Sequence, residues 1–184
     1  MNARNLAFLP GTFDIALSGF MGWYDCFDFN TNQFTRPDAK APEIFRVLKE
    51  GGRLVCCSWE EQDDLAWMEE AVLRNYPAMR ENGEYLEHRP IGMAYEKAKG
   101  YETILRNAGF RGTEIFTHRM AFLSTDEEEW WQQMVEVGWW HVLKTLRDEA
   151  VQQLKTSVIR DLTSFMGDAG IIFEKRVFFV HGYK

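Results

Sequence analysis

The sequence predicts an α/β protein. Two short apolar segments flank an amphipathic helical stretch within the first sixty residues, further helical and strand patterns alternate after them, and the chain closes on a long strand. Of the 184 residues, 46% are hydrophobic, enough for an ordinary core without disulfides or metal. No repeat, low-complexity tract or linker composition divides the chain, so residues 1–184 are expected to form one domain.

Phe13 to Ser18 follows a Pro10-Gly11 turn and runs into Gly19, the pattern of a buried parallel strand whose end opens into a loop. Residues 26–37 are rich in aromatic, Asn and Thr residues without any period and read as a loop over that strand end. Asp38 is a candidate N-cap for a helix that places Ala41, Ile44, Phe45 and Leu48 on one face, and Gly51-Gly52 is predicted to end it. Arg53 to Trp59 is then a second strand, parallel to the first through a right-handed crossover.

A helix is predicted over 64–75, with Leu65, Met68 and Val72 on one side. An irregular stretch over 77–92 and a helix over 95–108, stopped by Gly109, come next. Residues 113–123 read as a strand, and Ser124 or Thr125 caps the following helix in a capping box with Glu127 or Glu128. That helix carries Trp130, Trp131, Trp139 and Trp140. The stripe Val151, Leu154, Val158, Leu162 and Phe165 marks one more helix, ended by Gly167 to Gly170, and 171–183 is the final strand. Residues 125–166 thus form a helical, lid-like insertion before the last strand.

The formal net charge of −7 is spread along the chain and leaves no basic patch, so nucleic acid is not an expected partner. No apolar run approaches the roughly 20 residues of a membrane span, and no signal peptide opens the chain; a cytoplasmic protein without membrane contact is expected. Cys26, Cys56 and Cys57 are odd in number, lack a C-x-x-C spacing and read as free thiols, with no metal site.

Two segments carry a family resemblance. Residues 5–18, Asn-Leu-Ala-Phe-Leu-Pro-Gly-Thr-Phe-Asp-Ile-Ala-Leu-Ser, resemble the approach to and passage of the fourth strand in class I S-adenosyl-L-methionine-dependent methyltransferases of the ubiquinone-biosynthesis-like, small-molecule type. Residues 43–55, Glu-Ile-Phe-Arg-Val-Leu-Lys-Glu-Gly-Gly-Arg-Leu-Val, resemble that family's next helix, Gly-Gly turn and fifth strand. Ala108-Gly109-Phe110 is similar to the helix end before the sixth strand, and Glu128-Glu129-Trp130-Trp131 to a helical insertion of some members.

The resemblance implies the C-terminal half of a Rossmann-like methyltransferase sheet, strands 4-5-7-6 in family numbering, with the last pair antiparallel. It also implies S-adenosyl-L-methionine as cofactor and a small-molecule substrate. The chain departs from the family at its start. No Gly-x-Gly-x-Gly occurs, so the resemblance places the glycine-rich cofactor loop and the ribose-binding acid upstream of residue 1. Asn2-Ala3 falls where many members have an Asp-Ala pair facing the adenine.

Open α/β sheets place ligands beyond the carboxyl ends of their strands, which makes Ser18, Gly19, Phe20 and Trp23 candidate contacts. With Asn2 and Ala3, Ser18 and Gly19 form the candidate cofactor set; Phe20, Trp23, Trp130 and Trp131 form the candidate substrate set, the last two as a lid whose indoles also suit simple packing. No catalytic residue is identified, because methyl transfer from a sulfonium needs positioning and desolvation more than a nucleophile. His88, His118 and His141 could each serve as a base, but a lone His is more often a surface or hydrogen-bonded core residue.

Two functions from different classes follow. One is a truncated or split methyltransferase retaining the substrate-side half, binding cofactor weakly or not at all by itself. The other is a non-catalytic module kept for oligomerisation or binding. A start codon placed downstream of the glycine-rich half would also account for the pattern. In each case strand 13–18 lacks a neighbour, and it is expected to pair with a second copy, with a partner chain carrying the N-terminal half, or with a rearranged segment of its own chain.

Overall fold

The computed structural model describes residues 2–76 and 96–184. The predicted irregular stretch at 77–92, with His88, lies outside the described residues. Among those described, 2–61, 96–119 and 176–184 make up one compact unit, and 62–76 with 120–175 make up a second.

The sheet has the order β1-β4-β7-β5, from β1 (Phe13–Gly19), β4 (Leu48–Gln62), β5 (Arg111–Ser124) and β7 (Gly170–Tyr183). Strands β1 and β4 pair in parallel, with Ser18 beside Cys56 and Gly19 beside Cys57. Strand β7 runs against both neighbours. Its end meets the start of β4, where Gly51 N–H donates to Lys184 O (3.2 Å) and Lys184 N–H to Gly52 O (2.9 Å), while Arg176 pairs with Glu60 and Glu61 further along. On its other side His181 faces Glu114 (3.1 Å) and the Phe179 ring stacks on Phe116 (5.2 Å), so rising numbers on one strand meet falling numbers on the other. This is a mixed α/β, Rossmann-like sheet in the strand order that the resemblance implied.

Helix α1 (Lys40–Val47) starts where the Asp38 carboxylate accepts the N–H groups of Lys40 (2.8 Å) and Ala41 (3.3 Å). Its end departs from the prediction. Leu48 is already extended at ψ 144° and pairs with Phe13, so the chain passes straight from helix to strand. Gly51-Gly52 instead forms an irregularity inside β4. Gly51 holds φ +74°, and across it the partner on β4 jumps from Leu48, opposite Phe13, to Arg53, opposite Ile15.

The loop over 26–37 contains a small hairpin of β2 (Phe27–Asp28) and β3 (Gln33–Phe34). The Asp28 carboxylate builds its turn by accepting the Asn30 N–H and the Thr31 hydroxyl, both at 2.8 Å. The core of this first unit gathers Trp23, Phe27, Ile44, Leu48, Leu54 and Tyr101. Helix α3 (Ala98–Asn107) contributes Tyr101, Ile104 and Leu105 and stops at Gly109, φ +102°.

In the second unit, α2 (Asp63–Asn75), α4 (Glu127–Met134) and α6 (Asp148–Leu162) bury Met68, Trp130, Met134, Leu154 and Val158 in a core of their own. The cap of α4 sits later than predicted. Asp126 accepts the Glu129 N–H (2.8 Å), and the Glu129 carboxylate reaches back to the N–H and hydroxyl of Thr125 (2.6 and 2.7 Å). A π-helical turn, Val135–Trp139, joins α4 to α5 (Trp140–Leu143). Gly167 to Gly170 does not cap α6. A 3₁₀ turn over Thr163–Phe165 ends the helix, and β6 (Met166–Gly167) pairs antiparallel with the start of β7, making Asp168-Ala169 a hairpin tip.

Candidate functional site

Strand β1 ends at Ser18-Gly19 beside Cys56-Cys57 of β4, which runs on to Gln62, and the carboxyl end of a parallel strand is where an open α/β sheet offers its ligand crevice. Just beyond, Phe20 holds φ +53°, an uncommon conformation for an aromatic residue, fixed by its N–H donating to Cys57 O (2.9 Å). That turn leaves the Phe20 ring half exposed, 4.7 Å from the Trp59 ring and tilted 33° to it.

Ser18 is 9% exposed, with its hydroxyl buried. No nitrogen or oxygen of the described residues takes that hydroxyl, and its polar neighbour is the Cys56 thiol. Burial pushes that thiol far up, against a hydrogen bond with Ser18 that lowers it, so it stays protonated. From Ser18 and Gly19 a groove of about 410 Å³ runs along β1, walled by Ala3, Leu17, Ile44 and Leu54. Except at the Ser18 end, those walls are apolar.

Of the residues proposed for cofactor contact, Ala3, Ser18 and Gly19 line this one groove. Asn2 does not line it: its Oδ1 accepts the Arg4 N–H (3.0 Å) in a local turn closed by Asn5 N–H donating to Asn2 O (3.0 Å). Of the substrate candidates, Phe20 presents its ring at the strand end. Trp23 is fully buried: its indole N–H points at both Asp38 carboxylate oxygens (3.3 Å each) and its face takes the Lys40 ammonium at 5.3 Å. Trp130 and Trp131 are buried in the core of the second unit. His118 and His141 are exposed.

The residues that shape the loop after β1 had no signature in the sequence. Glu96 is 7% exposed and accepts the Trp23 N–H (2.8 Å) on one oxygen, and the Ser58 and Tyr101 hydroxyls (2.7 and 2.5 Å) on the other. Burial first, then the Glu96 charge, pushes the Tyr101 phenol far up, so it remains a donor. Lys40, also buried, donates to Gly22 O (2.7 Å) and Asp25 (2.6 Å), and Arg4 pairs with the same carboxylate. Burial would raise the Asp25 carboxyl, but hydrogen bonds from Lys40 and Arg4 outweigh it and hold it low. A lone Glu and a lone Lys in sequence give no hint of partners 73 and 15 residues away.

Among the described residues, no three His, Cys, Asp or Glu side chains converge as metal ligands, and no helix is long and apolar enough to cross a membrane.

No family model matches the sequence, and no curated protein sequence matches it. Among solved structures, it is similar to a candidate methyltransferase of Bacillus halodurans, at 20% identity and TM-score 0.49, covering 100% of this chain and 75% of that one. It is similar also to the YcgJ protein of Bacillus subtilis, at 16% identity and TM-score 0.48, covering 100% and 69%. A third is the phosphoethanolamine N-methyltransferase 2 of Haemonchus contortus in complex with phosphomonomethylethanolamine and S-adenosylhomocysteine, at 15% identity and TM-score 0.39, covering 100% and 36%.

Proposed function

We propose that this chain takes part in S-adenosyl-L-methionine-dependent methylation of a small molecule and carries the substrate-side part of the site. The observation behind this reading is the β1-β4-β7-β5 order, with β7 antiparallel, combined with a buried hydroxyl and an aromatic pair at the carboxyl end of β1.

The fit to the cofactor is partial. Ser18 offers one hydrogen bond and Phe20 with Trp59 one apolar surface, but no glycine-rich turn among the described residues presents backbone N–H groups, and Asn2 uses its side chain on its own turn. No transfer step is therefore assigned to this chain's residues. The glycine-rich cradle would come from upstream sequence or from another chain.

The test is titration of isotopically labelled protein with S-adenosylhomocysteine. Weak binding at about 1 mM, with amide shifts confined to residues 18–22 and 57–59, is the expected result. An unchanged spectrum at saturating ligand would favour the non-catalytic reading.

A further inference from the structure

We propose that β1 is a self-complementary edge and that two copies of this chain pair through it antiparallel, about a two-fold axis at Ala16. The pairing rests on the strand itself, and it is the alternative to a glycine-rich cradle at the same edge.

The backbone sets the parity. Phe20 N–H donates to Cys57 O, and Gly19 sits beside Cys57, so even-numbered residues of β1 turn their N–H and C=O groups toward β4. The odd ones, Phe13, Ile15, Leu17 and Gly19, turn theirs outward. Strand β1 ends the sheet, and Ile15 and Leu17 are 60% and 79% exposed on the wall of the groove that they share with Ala3, Leu6 and Phe8. Ile15 and Leu17, two residues apart, lie on one face of a strand that has a neighbour on a single side, and an exposed apolar pair there is an unprotected edge.

With the axis on Ala16, Ile15 meets Leu17 of the second copy and Phe13 meets Gly19, each pair exchanging its outward backbone bonds. All seven residues of the strand are used. An axis on Ile15 or Leu17 would leave two of the seven unpaired, and an axis on Asp14 would set two carboxylates face to face.

Charge agrees with the Ala16 axis. Asp14 is the strand's single charged residue, it is already paired with Lys49 (2.8 Å), and it would lie opposite Ser18 of the second copy. The far edge, β5, differs: Arg111, Glu114, His118 and Arg119 interrupt it, the usual protection of an edge meant to stay free.

Residue 16 would be a non-hydrogen-bonded pair on the axis, where Cα atoms lie about 4.5 Å apart, within disulfide reach. The test places single cysteines in the full chain carrying Cys57→Ser. Ala16→Cys should cross-link to a covalent dimer under mild oxidation, while Asp14→Cys, Ile15→Cys and Leu17→Cys should not. By sedimentation, the unmodified chain should dimerise, and Leu17→Lys, at an exposed position that leaves the circular dichroism unchanged, should weaken the dimer at least about tenfold. A monomer at about 100 μM would overturn the proposal and leave the edge to a different polypeptide. A dimer that cross-links through Asp14→Cys or Ile15→Cys, and not through Ala16→Cys, would overturn the register.

Discussion

Replacing Glu96 by Ala would remove the acceptor for three donors at once: the Trp23 N–H and the hydroxyls of Ser58 and Tyr101. A buried donor left without a partner costs about 1–3 kcal/mol. The two hydroxyls can turn toward each other, but the Trp23 N–H is fixed by the backbone, and the variant also recovers the carboxylate's desolvation cost. The net loss should therefore be about 3 kcal/mol, a large share of the roughly 5–15 kcal/mol typical of a domain. Glu96→Gln keeps the side-chain carbonyl oxygen for the Trp23 N–H and offers its amide to hydroxyls that can accept, so about 1–2 kcal/mol is expected. Urea unfolding of both variants measures the difference, and melting should fall about 6–12 °C for the Ala variant at this chain length. If the Ala variant lies within about 1 kcal/mol of the parent, or if Gln costs as much as Ala, Glu96 does not hold the loop in the way described.

Gly100→Ala should destabilise despite alanine's helix propensity, because its Cβ would come within 3.0 Å of the Phe29 and Phe27 rings; a loss of about 1–3 kcal/mol by urea unfolding is expected. Gly170→Ala should be worse, since the residue holds φ +122° and the new Cβ would press on the rigid Ser124 carbonyl; poor soluble yield, or a melting point at least about 5 °C lower, checks this. The Glu43 carboxyl is held down at about 2 by hydrogen bonds from Arg46 and the Leu6 N–H. A folded value below the unfolded one means that its stabilisation is complete above about pH 4.5 and is lost as pH falls toward 2; Glu43→Gln should flatten the acid-unfolding profile in that window and speed amide exchange at Leu6. Iodoacetamide at about pH 8 should modify Cys57 first by mass mapping, because Cys56 is fully buried and the Cys26 thiol is pushed up to about 11, chiefly by burial.

The elements legible in the sequence were those with a period and a local stop. Strand β1 opens after Pro10-Gly11, α3 ends at Gly109, and α6 shows its stripe at Leu154, Val158 and Leu162, each decided by neighbours within a few residues. Misplaced features were settled by distant pairing. Gly51-Gly52 has the chemistry of a helix cap, but Leu48 already pairs with Phe13 and draws the chain into a strand before the glycines arrive. Gly167 to Gly170 reads as a helix stop until Met166 is seen paired with Ile171.

At the candidate site, the strand-end residues Ser18, Gly19 and Phe20 could be found because α/β topology fixes where such ends lie. Trp23 looked equally accessible. What buries it is Glu96, Asp38 and Lys40, whose convergence no local pattern reports.

The proposed site and the proposed interface use the same strand, and this constrains how they coexist. A glycine-rich cradle brought in by another chain could sit beside Ser18 only if its own strand took up the outward backbone groups of Ile15 and Leu17, the groups that pair two copies in the self-associated form. Self-pairing and completion of a cofactor site at this edge are therefore mutually exclusive, and their balance is one of concentration and relative affinity. A small ligand alone cannot shift that balance unless it binds one form better than the other. The Phe20 and Trp59 rings and the buried Ser18 hydroxyl are present in the single chain, so whatever recognition they provide precedes the choice of edge partner.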